Sequence, residues 1–270
     1  HAVVNFEQFT NAFLASQIED SYSDTDGFGE IPGKKNTDGN WDTRGHKDRV
    51  IHIDRAALTT IHALSEEDNV EVEEARFVQP FSSSMLEVFN KLASFPKVNT
   101  ALCDSTGEPT WHMASHWHQT NAQKDGTIKR STAFRPIEEM VIQGPMIHVA
   151  NPLYKTPKKI SKNNSDYDVI DLQRAPEDYL PQTNYGPAIP REEYRLRMTK
   201  SAWDKTKSHG DLYRLAMRRM INLNSERSLV SAIIPPKLLH VNGVESVACK
   251  EPRSLVNLGC ITSSMVIDFF

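Results

Sequence analysis

The middle of the chain reads EMVIQGPMIHVA from Glu139 to Ala150, with two strand-like apolar runs, 139–142 and 146–150, around a Gly144-Pro145 turn signal. Extended runs follow at 167–172 and at 228–234, and the latter ends at Pro235-Pro236. An alternating run at 49–54 predicts another strand. Because the strands do not alternate regularly with helices, we expect a mixed α/β (α+β) fold with helices packed on a small, mostly antiparallel sheet.

Helical periodicity and capping signals predict five helices. The first spans residues 5–20 and carries an aromatic face. The second follows the strand at 49–54 and covers 55–64, and the third is capped at 82–84 and stops before Pro96. The last two cover 192–207 and 211–222, the second of them with an apolar side that includes Leu215 and Met220.

Length and composition describe an ordinary globular chain, with 270 residues, 39% hydrophobic and 24% charged. No apolar run approaches the roughly 20 residues that a membrane span needs, so we expect that the chain is not a membrane protein. Neither a signal peptide nor a Cys-x-x-Cys spacing is visible, and Cys103, Cys249 and Cys260 favour a reducing compartment without disulfides. His1 at the start and the apolar Ile267-Asp268-Phe269-Phe270 at the end suggest a piece of a longer protein.

The net charge of −4 conceals an uneven distribution. Residues 1–120 hold 9 Lys and Arg against 19 Asp and Glu, whereas residues 121–220 hold 18 against 12. We therefore divide the chain into an acidic helical or connecting segment, 1–115, and a basic region, 116–270, with a single domain left open. A basic region indicates an anionic partner such as nucleic acid, and a solvated basic face is the simpler alternative.

Three basic clusters carry the candidate DNA contacts. The first surrounds a glycine, and its amides, hydroxyls and cations suit a loop that approaches phosphates and reaches base edges. The other two are a lysine cluster around Thr156-Pro157 and an arginine cluster beyond residue 190. The candidate residues are Thr120, Asn121, Gln123, Lys124, Lys129, Arg130, Lys155, Lys158, Lys159, Arg191, Arg195 and Arg197. Lys162 extends the lysine cluster.

Two other motifs are weighed as chemical sites. His112, His116 and His118 could hold zinc if the first two shared a helical turn. No Cys or carboxylate set completes a site, so partly buried imidazoles are the simpler interpretation and we predict no metal.

Asn151-Pro152-Leu153-Tyr154 resembles the Asn-Pro-Pro-Tyr signature of amino-methyltransferases. Leu153 replaces the second proline and no glycine-rich adenosylmethionine turn lies upstream, so a simple turn is the alternative. We assign no catalytic residue, since the common hydrolase and P-loop motifs are also missing.

Pieces of the chain resemble the large adenine-specific DNA methyltransferases of type IIG restriction-modification and related phage-defence systems, in the part beyond their catalytic domain. The matching stretches are Ile31-Pro32-Gly33-Lys34, Trp41-Asp42-Thr43-Arg44-Gly45-His46-Lys47-Asp48-Arg49, 120–130, Gly144-Pro145 with 151–157, 167–172, Asp178-Tyr179-Leu180-Pro181-Gln182-Thr183-Asn184-Tyr185, Trp203 and 213–236. They span residues 31–270, and their order and spacing carry the resemblance.

The resemblance implies a target-recognition region that grips double-stranded DNA and selects the sequence for N6-adenine methylation in a prokaryotic cytoplasm. The chain itself would be a non-catalytic fragment without a cofactor. S-adenosylmethionine and the catalytic methyltransferase domain would belong to the parent protein. Two alternatives stay open: a self-contained S-adenosylmethionine-dependent methyltransferase that uses Asn151 to Tyr154, and a protein-interaction module.

Overall fold

The computed structural model describes residues 5–9, 14–27, 36–66, 69–76, 78, 80, 83–220, 225 and 227–269. The chain divides into two compact units, residues 1–101 and 102–270. This division falls ahead of the charge-based boundary at 115/116. Within the described residues, no helix is both long and apolar enough to span a bilayer.

In the first unit, strand β1 (Asn5–Phe9) pairs antiparallel with β2 (Val50–Asp54), and helix α1 (Ala15–Ser23) follows β1. The single helix predicted at 5–20 is therefore wrong, because cross-strand pairing with β2 overrides the helical spacing of its aromatic residues. Residues 10–13 of that prediction lie outside the described residues.

Helices α2 (Arg55–Ser65) and α3 (Ser83–Ala93) confirm the second and third predicted helices, and the short α4 (Val98–Ala101) follows. The carboxylate of Asp54 accepts the Ala57 N–H at 2.8 Å and caps α2. Ile61, Met85 and Phe89 form a buried cluster between the two helices. The apolar stripes read from the sequence are thus the faces on which these helices pack.

Asp42 anchors the Trp41–Arg44 corner of the first unit. Its carboxylate is buried and accepts two hydrogen bonds from the Arg44 guanidinium, at 2.9 and 2.7 Å, and the Asp42 carbonyl accepts one from Gln17 Nε2 at 3.1 Å. The hydrogen bonds from Arg44 outweigh burial and lower the pKa of Asp42 to about 2. The corner is therefore ordered by a charge-assisted pair, while the Trp41 side chain is exposed.

We expect Asp42→Asn to lower the free energy of unfolding at pH 7 by about 1 to 3 kcal/mol, because a carboxylate bidentate to Arg44 is replaced by a neutral amide. Since the folded pKa of Asp42 lies below its ordinary 3.8, its contribution is present above pH 3.8 and is lost as pH falls toward 2. Urea unfolding at pH 7 and pH 3 measures both effects. An equal loss of stability in the variant at the two pH values would contradict the electrostatic origin.

The second unit contains two four-stranded sheets and a two-stranded ribbon. The first sheet has the order β10-β9-β12-β3 and is antiparallel; its strands are β3 (Trp111–Ala114), β9 (Arg214–Arg218), β10 (Ser231–Ile234) and β12 (Val244–Cys249). The second has the order β11-β5-β8-β4, with one parallel pair, β11-β5; its strands are β4 (Ile128–Ala133), β5 (Val141–Ile142), β8 (Thr183–Pro187) and β11 (Leu239–His240). The ribbon pairs β6 (Lys155–Pro157) with β7 (Tyr167–Val169).

Three helices accompany these sheets: α5 (Gln119–Lys124), α6 (Arg191–Leu196) and α7 (Pro252–Ser263), the last of which packs on β10. Both sheets are mostly antiparallel and helices accompany them. The expected mixed α/β class is confirmed, with two small sheets in place of one.

Strand β5 separates two hydrophobic cores. Val141 belongs to the cluster of Trp117, Ile128 and Tyr185, and the next residue, Ile142, belongs to the other cluster. Successive strand residues point to opposite faces, so a two-residue strand can serve both cores. This explains why the central 139–150 stretch is apolar without alternation.

The helix predicted at 211–222 is wrong over residues 214–218, because they form β9, hydrogen-bonded to β10 on one side and to β12 on the other. Residues 221 and 222 of that prediction lie outside the described residues. Arg214, Leu215 and Ala216 are all buried. A central strand covered on both faces shows a continuous buried run, which periodicity cannot separate from a buried helix. The buried strand predicted at 228–234 is confirmed in β10.

Two further predictions differ from the structure: one helix is shorter than predicted, and one predicted strand is not formed. Helix α6 ends at Leu196, and Lys200 then forms a strand-like bridge with Ser208, so the helix expected to reach residue 207 is wrong beyond its first turns. The run 146–150 forms no strand either, since 144–146 is a 3-10 turn and Ala150 has a φ of 58°. The Gly-Pro signal marks a tight turn here, but Met146 and Ile147 are buried as loop residues of the core.

Candidate nucleic-acid interface

The first basic cluster lies on α5 and on the edge strand β4. Thr120, Asn121 and Lys124 are exposed on α5, while Gln123 is half-buried and donates from Nε2 to the Gln119 carbonyl at 2.8 Å. Residues 129 and 130 are exposed at the start of β4, where Lys129 lies opposite Gly186 and Arg130 lies opposite Tyr185. Their side chains point to opposite faces because strand residues alternate.

The lysine cluster lies on β6 and on its connection to β7. Lys155 Nζ is 5.8 Å from the centroid of the Tyr154 ring, and Lys158 Nζ is 3.5 Å from Asp168 Oδ1. Lys159 is exposed. An exposed ion pair such as Lys158–Asp168 contributes only about 0 to 1 kcal/mol, so it leaves the lysine available to a phosphate.

The arginine cluster of α6 is balanced by carboxylates of the same unit. Arg191 lies 3.9 Å from Glu138, Arg195 lies 3.7 Å from Asp211, and Arg197 lies 2.6 Å from Glu193. These ion pairs are partly exposed, and like the Lys158–Asp168 pair each contributes only about 0 to 1 kcal/mol, so they leave the arginines accessible to a phosphate. The α6 arginines differ from the lysines in position, since Arg191 and Arg195 line a separate small pocket beside Tyr194.

An open groove of about 800 Å³ lies between the end of β4 and the β6–β7 ribbon, and we call it the basic groove. Its polar lining consists of Thr132, Thr156, Lys158, Lys159, Asp168, Tyr179 and Gln182, with two cations against one carboxylate. Phe134 also lines it, with 65% of its surface exposed. Cations, amides and an exposed aromatic ring are the groups that contact phosphates and bases in protein–nucleic acid complexes.

A second concavity, of about 270 Å³, lies beside Asn184 and Tyr185 of β8, and we call it the polar pocket. Three of its lining side chains form a closed set of hydrogen bonds. Tyr167 Oη donates to Gln143 Oε1 at 2.7 Å, and Asn184 Nδ2 donates to Gln143 Oε1 and to Tyr167 Oη at 2.9 Å each. Burial raises the pKa of Tyr167 to about 12, so the phenol stays protonated and donates near neutral pH.

The basic groove and the polar pocket are joined by hydrogen bonds. Thr132 of the groove donates to Asn184 Oδ1 of the pocket at 2.8 Å. Arg130 donates to the carbonyl of Ser161, and the Ser161 hydroxyl donates to the Lys158 carbonyl at 2.8 Å. The tertiary structure thereby brings part of the first cluster and the lysine cluster to two neighbouring concavities, and the α6 arginines line neither of them.

Residues 151–154 form a turn. The Asn151 side-chain carbonyl accepts the Leu153 N–H at 3.1 Å, and the Tyr154 ring packs edge-on against His148 with the centroids 4.6 Å apart. The two groups that a methyltransferase signature would present to an adenine are thus engaged in local contacts. This geometry matches the turn interpretation of the motif.

The structure contains a buried histidine cluster, but its members differ from the three histidines considered in the sequence. His116 and His209, together with His240 of β11, surround the buried guanidinium of Arg214, while His118 is exposed at the start of α5. Within the described residues no group of three or more His, Cys, Asp or Glu side chains is arranged to hold a metal ion. Residues 111–114 are a strand, so the helical turn that a zinc site required is not formed.

Several residues of the polar pocket were not among the candidate contacts predicted from the sequence. Gln143, Asn184 and Arg218 come from three separate segments and meet only in the folded unit. The one local indication is the polar pair Thr183-Asn184 next to Tyr185. A buried amide in a strand needs hydrogen-bond partners, so this pair indicates a polar contact inside the folded unit. Arg218 was assigned to a helix by periodicity, which concealed its position at the end of β9.

No protein-family model, no curated protein and no solved structure matches this chain. The site is therefore interpreted from its own geometry.

Proposed function

We propose that the chain recognises double-stranded DNA, with the basic groove as the contact surface. The observation that carries this proposal is the lining of the groove, where Lys158 and Lys159 accompany the Gln182 amide and an exposed aromatic ring. Arg130 is linked to the Lys158 backbone through Ser161. Lysines that meet phosphates hold a protein on the duplex, and Asn, Gln and Arg side chains read base edges in the major groove. The groove has both kinds of group, lysines that can meet phosphates and an amide that can reach base edges.

In its narrower form, the proposal makes the chain the target-recognition part of an N6-adenine DNA methyltransferase of a restriction-modification or phage-defence system. The resemblance of residues 31–270 to such proteins supports this form. S-adenosylmethionine and the catalytic domain would then belong to the parent protein, and this chain would supply sequence selection. The turn geometry of residues 151–154 agrees with a recognition role more than with a catalytic one.

Salt dependence tests the proposal directly. If Arg130, Lys158 and Lys159 meet phosphates, the logarithm of the affinity for a paired duplex should fall with the logarithm of salt concentration with a slope of about −3. The double variant Lys158→Gln/Lys159→Gln should bind more weakly and reduce the slope by about 2, because two contacts are lost. Fluorescence anisotropy with a labelled duplex at several salt concentrations measures both.

A matched control is Lys205→Gln/Lys207→Gln, which removes the same charge from a turn that does not line the groove. It should leave the slope unchanged. Affinity that does not respond to salt, or an equal loss in both double variants, would rule out the basic groove as the DNA contact.

A further inference from the structure

The polar pocket has an unusual charge composition. Its lining contains three cationic side chains, Arg130, Lys162 and Arg218, and no Asp or Glu. Several other arginines of the second unit are paired with carboxylates, as in the 3.4 Å ion pair between Arg219 and Glu245. Positive charge collected in a concave site attracts anions, because the low-dielectric walls focus the field.

Arg218 is the most informative of these three cations. Its side chain is half-buried, and burial lowers its pKa. No hydrogen bond or ion pair of its guanidinium is present among the described residues, although its backbone N–H donates to the Val230 carbonyl at 3.0 Å. A partly desolvated cation without a partner is costly, so a site that retains one is suited to an anion.

The neutral groups of the pocket also offer donors. Gln143 Oε1 already accepts from Tyr167 and Asn184, which fixes the amide orientation and leaves Gln143 Nε2 without an acceptor among the described residues. Asn184 Oδ1 is occupied by Thr132. The preferred ligand is therefore rich in acceptor oxygens or ring nitrogens.

The size and the walls restrict the ligand further. The volume of about 270 Å³ lies just below the range of roughly 300 to 1,000 Å³ that is usual for small-molecule sites. Pro145 and the exposed Met220 supply apolar surface against which a flat ring can lie. Gly243 also lines the pocket, and a Cβ added there would meet no atom within 4 Å.

We propose that the polar pocket binds a single phosphate-bearing nucleotide, with Arg218 and Arg130 on the phosphate oxygens and the Gln143 amide on the base edge. The nucleotide is either free or a nucleotide turned out of a DNA duplex, since both present the same phosphate and base. Arg130 takes part in both proposals, but Arg218 lines the polar pocket and not the basic groove, so an Arg218 variant tests the pocket separately from duplex recognition.

Isothermal titration calorimetry of the whole chain with dAMP, deoxyadenosine and inorganic phosphate tests the site. dAMP should bind at least about tenfold more tightly than deoxyadenosine. Arg218→Gln should weaken dAMP binding by about tenfold to a hundredfold, as expected for a hydrogen bond to a charged group. Gly243→Leu should abolish binding by filling the pocket while all charges remain, so it tests the site even if Arg218→Gln fails to fold.

Arg219→Gln is the matched control, because it removes a neighbouring charge that does not line the pocket, and it should bind dAMP normally. A duplex with one unpaired adenosine, compared with the same duplex fully paired, identifies the source. A gain for the unpaired duplex that Arg218→Gln removes, without dAMP binding, assigns the site to an extruded nucleotide, and dAMP binding assigns it to a free one.

Failure of every phosphate-bearing probe, or binding that neither Arg218→Gln nor Gly243→Leu alters, would overturn the proposal. Salt-dependent binding of paired duplex that requires Lys158 and Lys159 would persist in that case. The two proposals therefore fail separately.

Discussion

Arg214→Met is expected to lower the free energy of unfolding of the second unit by about 3 to 5 kcal/mol. The guanidinium is fully buried and donates to the carbonyls of Leu212 at 3.0 Å and Leu238 at 2.6 Å, and to His116 Nε2 at 2.6 Å. Methionine fills similar space but strands these acceptors, each at a cost of about 1 to 3 kcal/mol that is not simply additive. Burial lowers the pKa of Arg214 to about 9, which still leaves it charged at neutral pH.

Urea unfolding followed by circular dichroism measures this loss as a lower transition midpoint. Arg219→Met is the matched control, because its guanidinium is half exposed and paired with Glu245, so about 0 to 1 kcal/mol is expected. Equal stability of Arg214→Met and the unmodified chain would show that the buried network contributes no net stabilisation.

The second large effect is loss of stability in mild acid. Burial lowers the pKa of His209 to about 4, that of His240 to about 3, and that of His116 well below its ordinary 6.5. In the fold His116 Nε2 accepts from Arg214, so a proton would have to be taken up beside a buried cation. Above pH 6.5 these imidazoles are neutral in both states and pH has no effect through them.

Below pH 6.5 the unfolded chain binds protons that the folded chain excludes, so the free energy of unfolding falls by up to about 1.4 kcal/mol per pH unit for each histidine. The free energy of unfolding stops falling only when the pH drops below the pKa values that these histidines have in the folded state. Three histidines together give about 3 to 6 kcal/mol between pH 6.5 and pH 5, a large share of the 5 to 15 kcal/mol typical of a domain.

Urea titrations at pH 7.5, 6.5, 5.5 and 5.0 measure this slope. His209→Gln can retain the hydrogen bond to the His112 carbonyl but cannot titrate, so its slope should be smaller by about one proton. The exposed His118→Gln should keep the original slope. A slope unchanged in His209→Gln would contradict the assignment of the acid sensitivity to the buried cluster.

Local patterns in the sequence were sufficient for some elements. Helices α2 and α3 and strands β2 and β10 lie where periodicity and capping predicted them, because their apolar faces and breakers are local features. The failures at β1 and β9 have one cause: the partner strands lie far along the chain. For β9 these are residues 231–234 and 244–247, whose pairing decides strand over helix.

The candidate site divides in the same way. Exposed lysines such as Lys158 and Lys159 are visible as a cluster in the sequence, and the structure places both in the groove. The polar pocket was not visible, because Gln143, Asn184 and Arg218 carry no shared spacing. The α6 arginines are equivalent to the lysines in the sequence, and only the structure shows that they line neither the groove nor the pocket.

The sequence by itself determined the mixed class, the uneven charge and the apolar runs that become core strands, since these depend on composition and on neighbours along the chain. Only the tertiary structure decided which cations share a surface, which are neutralised, and that Arg218 lies half-buried without a partner among the described residues. The physical reason is that electrostatic and hydrogen-bond energies depend on distances in space and on burial. Neither quantity is a property of a sequence window.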